Sequence, residues 1–332
     1  MYRHLRTLLQ GITIRQQTQR TMNTSRAESL VVDYDYASGG VAEHRTRMGA
    51  REFMLSGEAG VYTAMRTVCE GQRVFLLDDH LQRLGNSHRM VLPKDMARRD
   101  DAEYWRRTLC PLIRRGIGAF RSICPDGEAK ITVLAGERQA RLHFTCLDTH
   151  MKQACWVRFV AGVRRHAPEA KDIQWVHERE SLEALIAPPI NEVVLTDRDA
   201  QGKQCFYEGI SSNFFATRRR IPSSSSVDGP EFRNYQLVSA PRDGVLLGTV
   251  MKLVLRICDR DGIQVVYDPT VNFSRWSGAF VSSTSRWVLP IENIVYGHGD
   301  ELLSHHLDPA DPLVVHLREA VQNMAAESST QV

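Results

Sequence analysis

At 332 residues, with 42% hydrophobic and 24% charged side chains, the chain has a globular composition and the length of two domains. No run approaches the roughly 18 apolar residues a membrane span requires, and a net charge of +3 makes no electrostatic case for nucleic acid. Its seven cysteines are scattered with no CxxC pair, which favours a reducing compartment and thiols used as small buried apolar groups.

The chain opens with Arg3, Arg6, Arg15, Arg20 and Arg26 and no acid before Glu28. Such an Arg-rich, acid-poor start resembles an organelle transit peptide, a basic tail being the alternative, and residues 1–45 are set outside the fold on either reading. "YTAMRTV" and "RVFLL" read as strands around the turn "CEGQ", and Asp79 is placed to cap a helix with Leu81 and Leu84 on one face. "AKITVLAG" and "RLHFTCL" make a hairpin-like pair, and "CWVRFVAGV" is a further strand.

In the second half "ESLEALI" is a short helix, and "NEVVLTD", "QCFYEG" and "SNFFATRR" are strands with a turn at "RDAQGK". "IPSSSSVDGPEF" is a low-complexity loop. "GTVMKLVLRICDRDG" carries Val250, Leu253, Val254 and Ile257 at helical spacing and stops at Gly262. "GAFVSSTS" is a late strand, and Asp311-Pro312 opens a last helix. The expected architecture is mixed α+β: a small domain over residues 46–155 and a larger one over 156–332.

Of 42 basic residues only six are lysines, so lysine chemistry has six candidates. Lys94, Lys152 and Lys203 fall in polar loops, Lys130 opens a strand, and Lys252 lies off the apolar face of its helix. Lys171, in "PEAKDIQWVHERESLEAL", meets the apolar pair Trp175 and Val176 and is best placed for a pocket wall. Glu208, at a strand end and followed by small residues, adds a carboxylate. An amine, a carboxylate for a pyridine nitrogen and a phosphate cradle are what pyridoxal 5'-phosphate requires. The helix start at Gly248 and Thr249, the hydroxyls of "SSTS" (Ser283 and Thr284 among them) and Arg83 supply the cradle.

The ordered segments "GVYTAMRT", "LDDHLQRLGNS", "AKDIQW", "YEGISSNFF", "GVLLGTVMKLVLRICDRDGIQV" and "FVSSTSRWVLPI" resemble the class IV aminotransferases, over roughly residues 50–295. That group includes branched-chain and D-amino acid aminotransferases and aminodeoxychorismate lyase, and the likeness is greatest to divergent eukaryotic aminotransferase-like members. It implies the two-domain fold of pyridoxal phosphate fold type IV, a homodimer, and transfer of an amino group between a small amino acid and a 2-oxo acid. Lys171 would form the Schiff base and shuttle the proton, with Tyr62 beside it, and Glu208 would hold the pyridine N–H. Arg83, Gly248, Thr249, Val250, Ser283 and Thr284 would bind phosphate, and Leu246 would pack on the ring. A lyase, or a family member that binds without turnover, are the alternatives.

Departures are expected to matter. The helix-opening motif reads Leu247-Gly248-Thr249-Val250, with its threonine shifted by one place, and Arg286-Trp287 stands where the family has a small residue and Glu. Arg141 and His143 resemble an Arg-x-His clamp for the substrate carboxylate, with Arg66, Arg164 and Arg165 as other candidates. His298, His305 and His306 form no ligand-like metal set and are placed in a solvated loop.

Overall fold

Two β-sheets organise the protein in a computed structural model that describes residues 27–92, 101–147, 152–220, 229–299 and 301–332. The first is built from β1 (Ser29–Asp35), β2 (Val41–Thr46), β3 (Gly60–Val68), β4 (Arg73–Phe75), β5 (Ala129–Gly136) and β6 (Gln139–Cys146). A last strand, β16 (Ser329–Gln331), returns from the far end of the chain to complete the antiparallel order β16-β4-β3-β5-β6-β1-β2. Three helices punctuate these strands: α1 (Ala50–Leu55), α2 (Leu77–Val91) and α3 (Ala102–Phe120).

Strand alternation gives β3 two different faces. Val61 and Met65 join Leu77, Leu81 and Leu84 of α2 and Trp105, Leu109 and Ile113 of α3 in one buried cluster. Tyr62 points the other way, into a smaller cluster with Phe53, Ile173 and Val176. One strand therefore offers side chains both to the helical core and to the segment around Ile173 and Val176.

The second sheet follows in chain order with β7 (Cys155–Ala161), α4 (Gln174–Glu178), α5 (Glu180–Glu183), β8 (Ile190–Arg198), β9 (Gln204–Gly209), β10 (Asn213–Arg219), β11 (Tyr235–Ser239), α6 (Thr249–Asp261), β12 (Gln264–Tyr267), β13 (Gly278–Ser283), β14 (Trp287–His298), β15 (Glu301–His306) and α7 (Pro312–Asn323). Its order is β12-β11-β10-β13-β14-β7-β8-β9, with β15 on β14. A further pairing of β9 with β10, Glu208 opposite Asn213, closes six of these strands into a ring. Buried Phe159, Phe206, Phe214 and Trp276, together with the apolar faces of α6 and α7, form the largest cluster.

The structure corrects several expectations. Residues 29–46 belong to the fold: Leu30, Val31 and Val32 are buried, and β1 is hydrogen-bonded between β2 and β6. The arginine-rich 1–26 lie outside the described residues, as do 221–228 of the serine-rich loop. Asp79 is not the cap of α2. That helix starts from Leu76 in the left-handed region, and Asp79 in its first turn pairs instead with Arg256 of α6. Cys124 and Cys146 are joined as a disulfide, because the end of α3 and the end of β6 meet at adjacent corners of the first sheet. His305 and His306 lie on strand β15 rather than in a loop, with the His305 ring stacked on Phe273.

Candidate active site

Lys171 reaches its place through the backbone. Its carbonyl accepts from the Tyr62 N–H at 2.9 Å, the Ile173 N–H donates to Gly60 at 2.9 Å, and Asp172 bridges Val61. The segment after β7 is thereby laid along the free end of β3, and the Lys171 N–H donates to Ser87 of α2 at 3.0 Å. The ammonium comes to 4.5 Å from the centre of the Tyr62 ring. Burial, with Arg83, Arg165 and Arg179 nearby, lowers the lysine pKa to about 8 against the pull of Tyr62. Burial alone would raise the Tyr62 phenol, but Lys171, Arg179 and Arg165 outweigh it and bring the phenol to about 8.

Across the same pocket, Glu208 is buried where β9 meets β10. One carboxylate oxygen accepts from Arg165 at 3.3 Å and the other from the Leu246 N–H at 3.1 Å. Burial pushes its pKa up, and Arg165 and that N–H pull it back. Asn213 donates to the Leu246 carbonyl at 2.7 Å, so the closure of the strand ring also fixes the residues before α6. Trp175 donates its indole N–H to Ile210 and carries the Arg165 guanidinium at 5.2 Å from its ring.

The third corner is made by α2 and the start of α6. His80 and Arg83, one helical turn apart, are both buried. Arg83 donates to Thr63 at 2.8 Å and to His80 Nδ1 at 3.2 Å. That leaves His80 Nε2 as the donor toward Thr249 Oγ1 at 3.4 Å. Burial and the neighbouring Arg83 hold His80 well below the usual histidine range, consistent with a neutral ring. Arg83 Nε is buried with no acceptor among the described residues. Gly248 is the extended residue before α6, and a side chain there would run into Asn213. The free N–H groups of α6, Thr249, Ser283, Thr284 and Arg83 thus face one cavity whose walls include Tyr62, Lys171, Glu208, Leu246 and Val250.

Most residues singled out in the sequence are therefore brought together, but Arg141 and His143 are not. Arg141 is spent on Asp33 at 2.8 Å and Ser56 at 3.1 Å. His143 is buried against Phe53, bonded to Ser29, with its pKa down to about 4 because of burial. Within one chain neither lines the cavity, because their partners on β1 and α1 hold them farther along the first sheet.

Sequence reasoning named Arg165 only for a substrate carboxylate, whereas it pairs with Glu208. It missed His80 and Arg179 altogether. The three-residue spacing of His80 and Arg83 was a usable signal. Nothing local marks Arg179, whose guanidinium donates to the Ile210 carbonyl at 2.9 Å and lies 3.5 Å from the Tyr62 hydroxyl.

The family model for amino-transferase class IV matches residues 60–294, a span that contains every wall of this cavity. No curated protein matches the chain. Among solved structures, a branched-chain aminotransferase of Thermoproteus uzoniensis with norvaline is similar at 17% identity and a TM-score of 0.61, over 91% of this chain and 95% of that one. A hypothetical aminotransferase of Mycobacterium tuberculosis, in its α-ketoglutarate and PMP bound form, shares 14% identity over 89% of this chain and 99% of its own, with a TM-score of 0.62. A putative branched-chain amino acid aminotransferase of Thermotoga maritima reaches 18% identity and a TM-score of 0.58, over 89% and 96%. At these identities the likeness is one of fold: two sheets in the mixed α+β arrangement of fold IV aminotransferases.

Proposed function

The chain belongs to the amino-transferase class IV family, and from that premise we propose that it is a pyridoxal 5'-phosphate-dependent aminotransferase moving an amino group between an amino acid and a 2-oxo acid. The observation that carries the reading is the cavity itself. A buried lysine with its pKa near 8 faces a buried carboxylate, and a helix start with an arginine whose Nε has no acceptor among the described residues lies at the other end.

The residues fit the cofactor. Arg83 Nε, the first N–H groups of α6 and the hydroxyls of Thr249, Ser283 and Thr284 make a phosphate cradle. Glu208, steadied by Arg165 and Leu246, is an acceptor for a pyridine N–H. When bound, pyridoxal phosphate supplies an aldehyde for an amine and a ring that draws electrons from the substrate's α-carbon. Lys171 attaches the cofactor. Once released it takes and returns the α-proton, a task that a pKa near 8 suits. Tyr62 holds the lysine end of the cavity, Leu246 and Trp175 exclude water from its walls, and Gly248 admits the close approach of the Asn213 side chain.

The test is the visible absorbance of the purified protein before and after borohydride, with peptide mapping of the reduced adduct. A yellow protein mapping to Lys171, and loss of the adduct in Lys171→Ala, is the expected result. A reducible adduct persisting in that variant would refute the assignment. The reading extends to a homodimer in which a neighbouring chain closes the cavity, and light scattering at the mass of one chain would overturn it.

A further inference from the structure

Two short turns rich in hydroxyls line the cavity: Ser211–Ser212 between β9 and β10, and Ser283–Ser285 where β13 turns into β14. Behind them, and not itself a wall, lies the fully buried Glu192 of β8. Its Oε1 accepts from the Val193 N–H at 3.1 Å, within its own strand. Its Oε2 accepts from Ser211 at 2.6 Å, from Ser212 at 2.9 Å and from an Nη of Arg286 at 2.5 Å. Arg286 joins the two turns. Its other Nη is 3.4 Å from both Ser211 Oγ and the Asn191 carbonyl, and its backbone N–H donates to Ser283 Oγ at 3.3 Å.

A carboxylate withdrawn from water is costly unless donors surround it, so Glu192 draws both turns toward itself. Gly209 permits this, because a β-carbon there would run into Ser212 Oγ and approach Glu192 to 3.1 Å. On the other side Trp287 sits in the left-handed region, φ 60°, a conformation that persists only where its surroundings impose it. Its ring is stacked on Phe75 at 4.9 Å and lies under Arg66 at 4.4 Å. The dipeptide that departs from the family pattern is thus held at both residues, the arginine by the second sheet and the tryptophan by the first. The pair also sorts the hydroxyls, each of which has one proton to donate. Ser211 and Ser212 spend theirs on Glu192, whereas Ser283, accepting from Arg286, keeps its own for an anion.

We propose, on the aminotransferase reading above, that Glu192 and Arg286 are positioning residues for the cofactor's phosphate. Neither touches the phosphate. Their ion pair locks the Ser283–Ser285 turn to the Ser211–Ser212 turn, and so keeps the Ser283 and Thr284 hydroxyls directed at the cradle made with α6 and Arg83.

The experiment starts from protein loaded with pyridoxal phosphate and checked for a borohydride-stable adduct at Lys171. The cofactor is then removed, and pyridoxal phosphate and pyridoxal are titrated separately by absorbance. Pyridoxal carries the aldehyde and ring without the phosphate, so the ratio of the two affinities isolates the cradle. Arg286→Gln and Glu192→Gln are expected to lower that ratio roughly 10-fold, about one hydrogen bond to a charged group, with pyridoxal affinity unchanged. Arg286→Lys restores part of it. The double variant Glu192→Gln/Arg286→Gln is expected to lose no more than either single one, since the pair acts as a unit. It leaves no unpaired buried charge, and so it decides the matter where Arg286→Gln fails to fold. An adduct at Lys171 with the ratio unmoved in the double variant, or with both affinities falling equally, overturns the inference alone. Absence of the adduct from the native protein overturns the aminotransferase reading and the inference together.

Discussion

Lys171 shows how far a residue's chemistry depends on its neighbours. Its amine titrates near 8 because burial removes water and three arginines oppose a fourth positive charge. A depressed lysine pKa means that the neutral, nucleophilic form accumulates as pH rises through 8, not through 10.5. In protein freed of cofactor, the rate of adduct formation with added pyridoxal phosphate should rise with an apparent pKa near 8 and level above it. Stopped-flow absorbance checks this, and a midpoint near the ordinary lysine value would show that the amine is solvated. Arg83 makes a second residue-scale case. Its Nε has no acceptor among the described residues, so Arg83→Gln should weaken cofactor binding by roughly 10- to 100-fold while leaving the fold intact. Equilibrium dialysis measures that loss, and unchanged affinity would take Arg83 out of the cradle.

Among the elements, α3 is the one that local rules obscure. Pro111, Gly116 and Gly118 lie inside it, each unfavourable to a helix, and no periodic assignment reached it from the sequence. It forms because Trp105, Leu109, Leu112 and Ile113 bury one stripe against α2, and because Asp101 caps its start by accepting from Glu103. Gly116 has a packing reason: a β-carbon there would enter the Phe144 ring, whereas Gly118 faces open space. Gly116→Ala should therefore cost about 1–3 kcal/mol, overpacking outweighing better helix propensity. Gly118→Ala should stabilise by about 0.5–1 kcal/mol. Urea denaturation of the two variants separates the effects, and equal shifts would mean that Phe144 yields without cost. By contrast α6 was legible, its apolar residues at helical spacing ending at Gly262 in the left-handed conformation.

At the scale of the molecule, the chain's end supports the site. Ser329 pairs with Phe75 on β16, Arg73 donates to Ser329 at 2.8 Å, and the Leu76 N–H donates to Ser328 at 2.8 Å. Leu76 is the residue from which α2 starts, and α2 carries His80 and Arg83. Removing residues 328–332 should lower stability by about 1–3 kcal/mol and weaken cofactor binding with it, through a loosened α2 start. Thermal unfolding with and without pyridoxal phosphate reads both effects. Lost stability with full cofactor affinity would uncouple the C-terminus from the cavity.

Period and spacing in the chain were enough to determine most strands of the second sheet and the helices α2, α6 and α7, while weighing the six lysines against one another singled out Lys171. Those signals are local, since apolar alternation, a glycine stop or an Asp-Pro start acts within a few residues. Motif order then identified the family. Tertiary structure decided what depends on distant partners. Ser29–Thr46 became strands only because β6 offers an edge with matching apolar residues. Arg141 and His143 were drawn away from the cavity by Asp33 and Ser29. Arg165, His80 and Arg179 entered the site because closure of the strand ring and the packing of α2 bring polar groups far apart in sequence, such as Arg165 and Glu208 or His80 and Thr249, within a few ångströms, where burial strengthens their interactions.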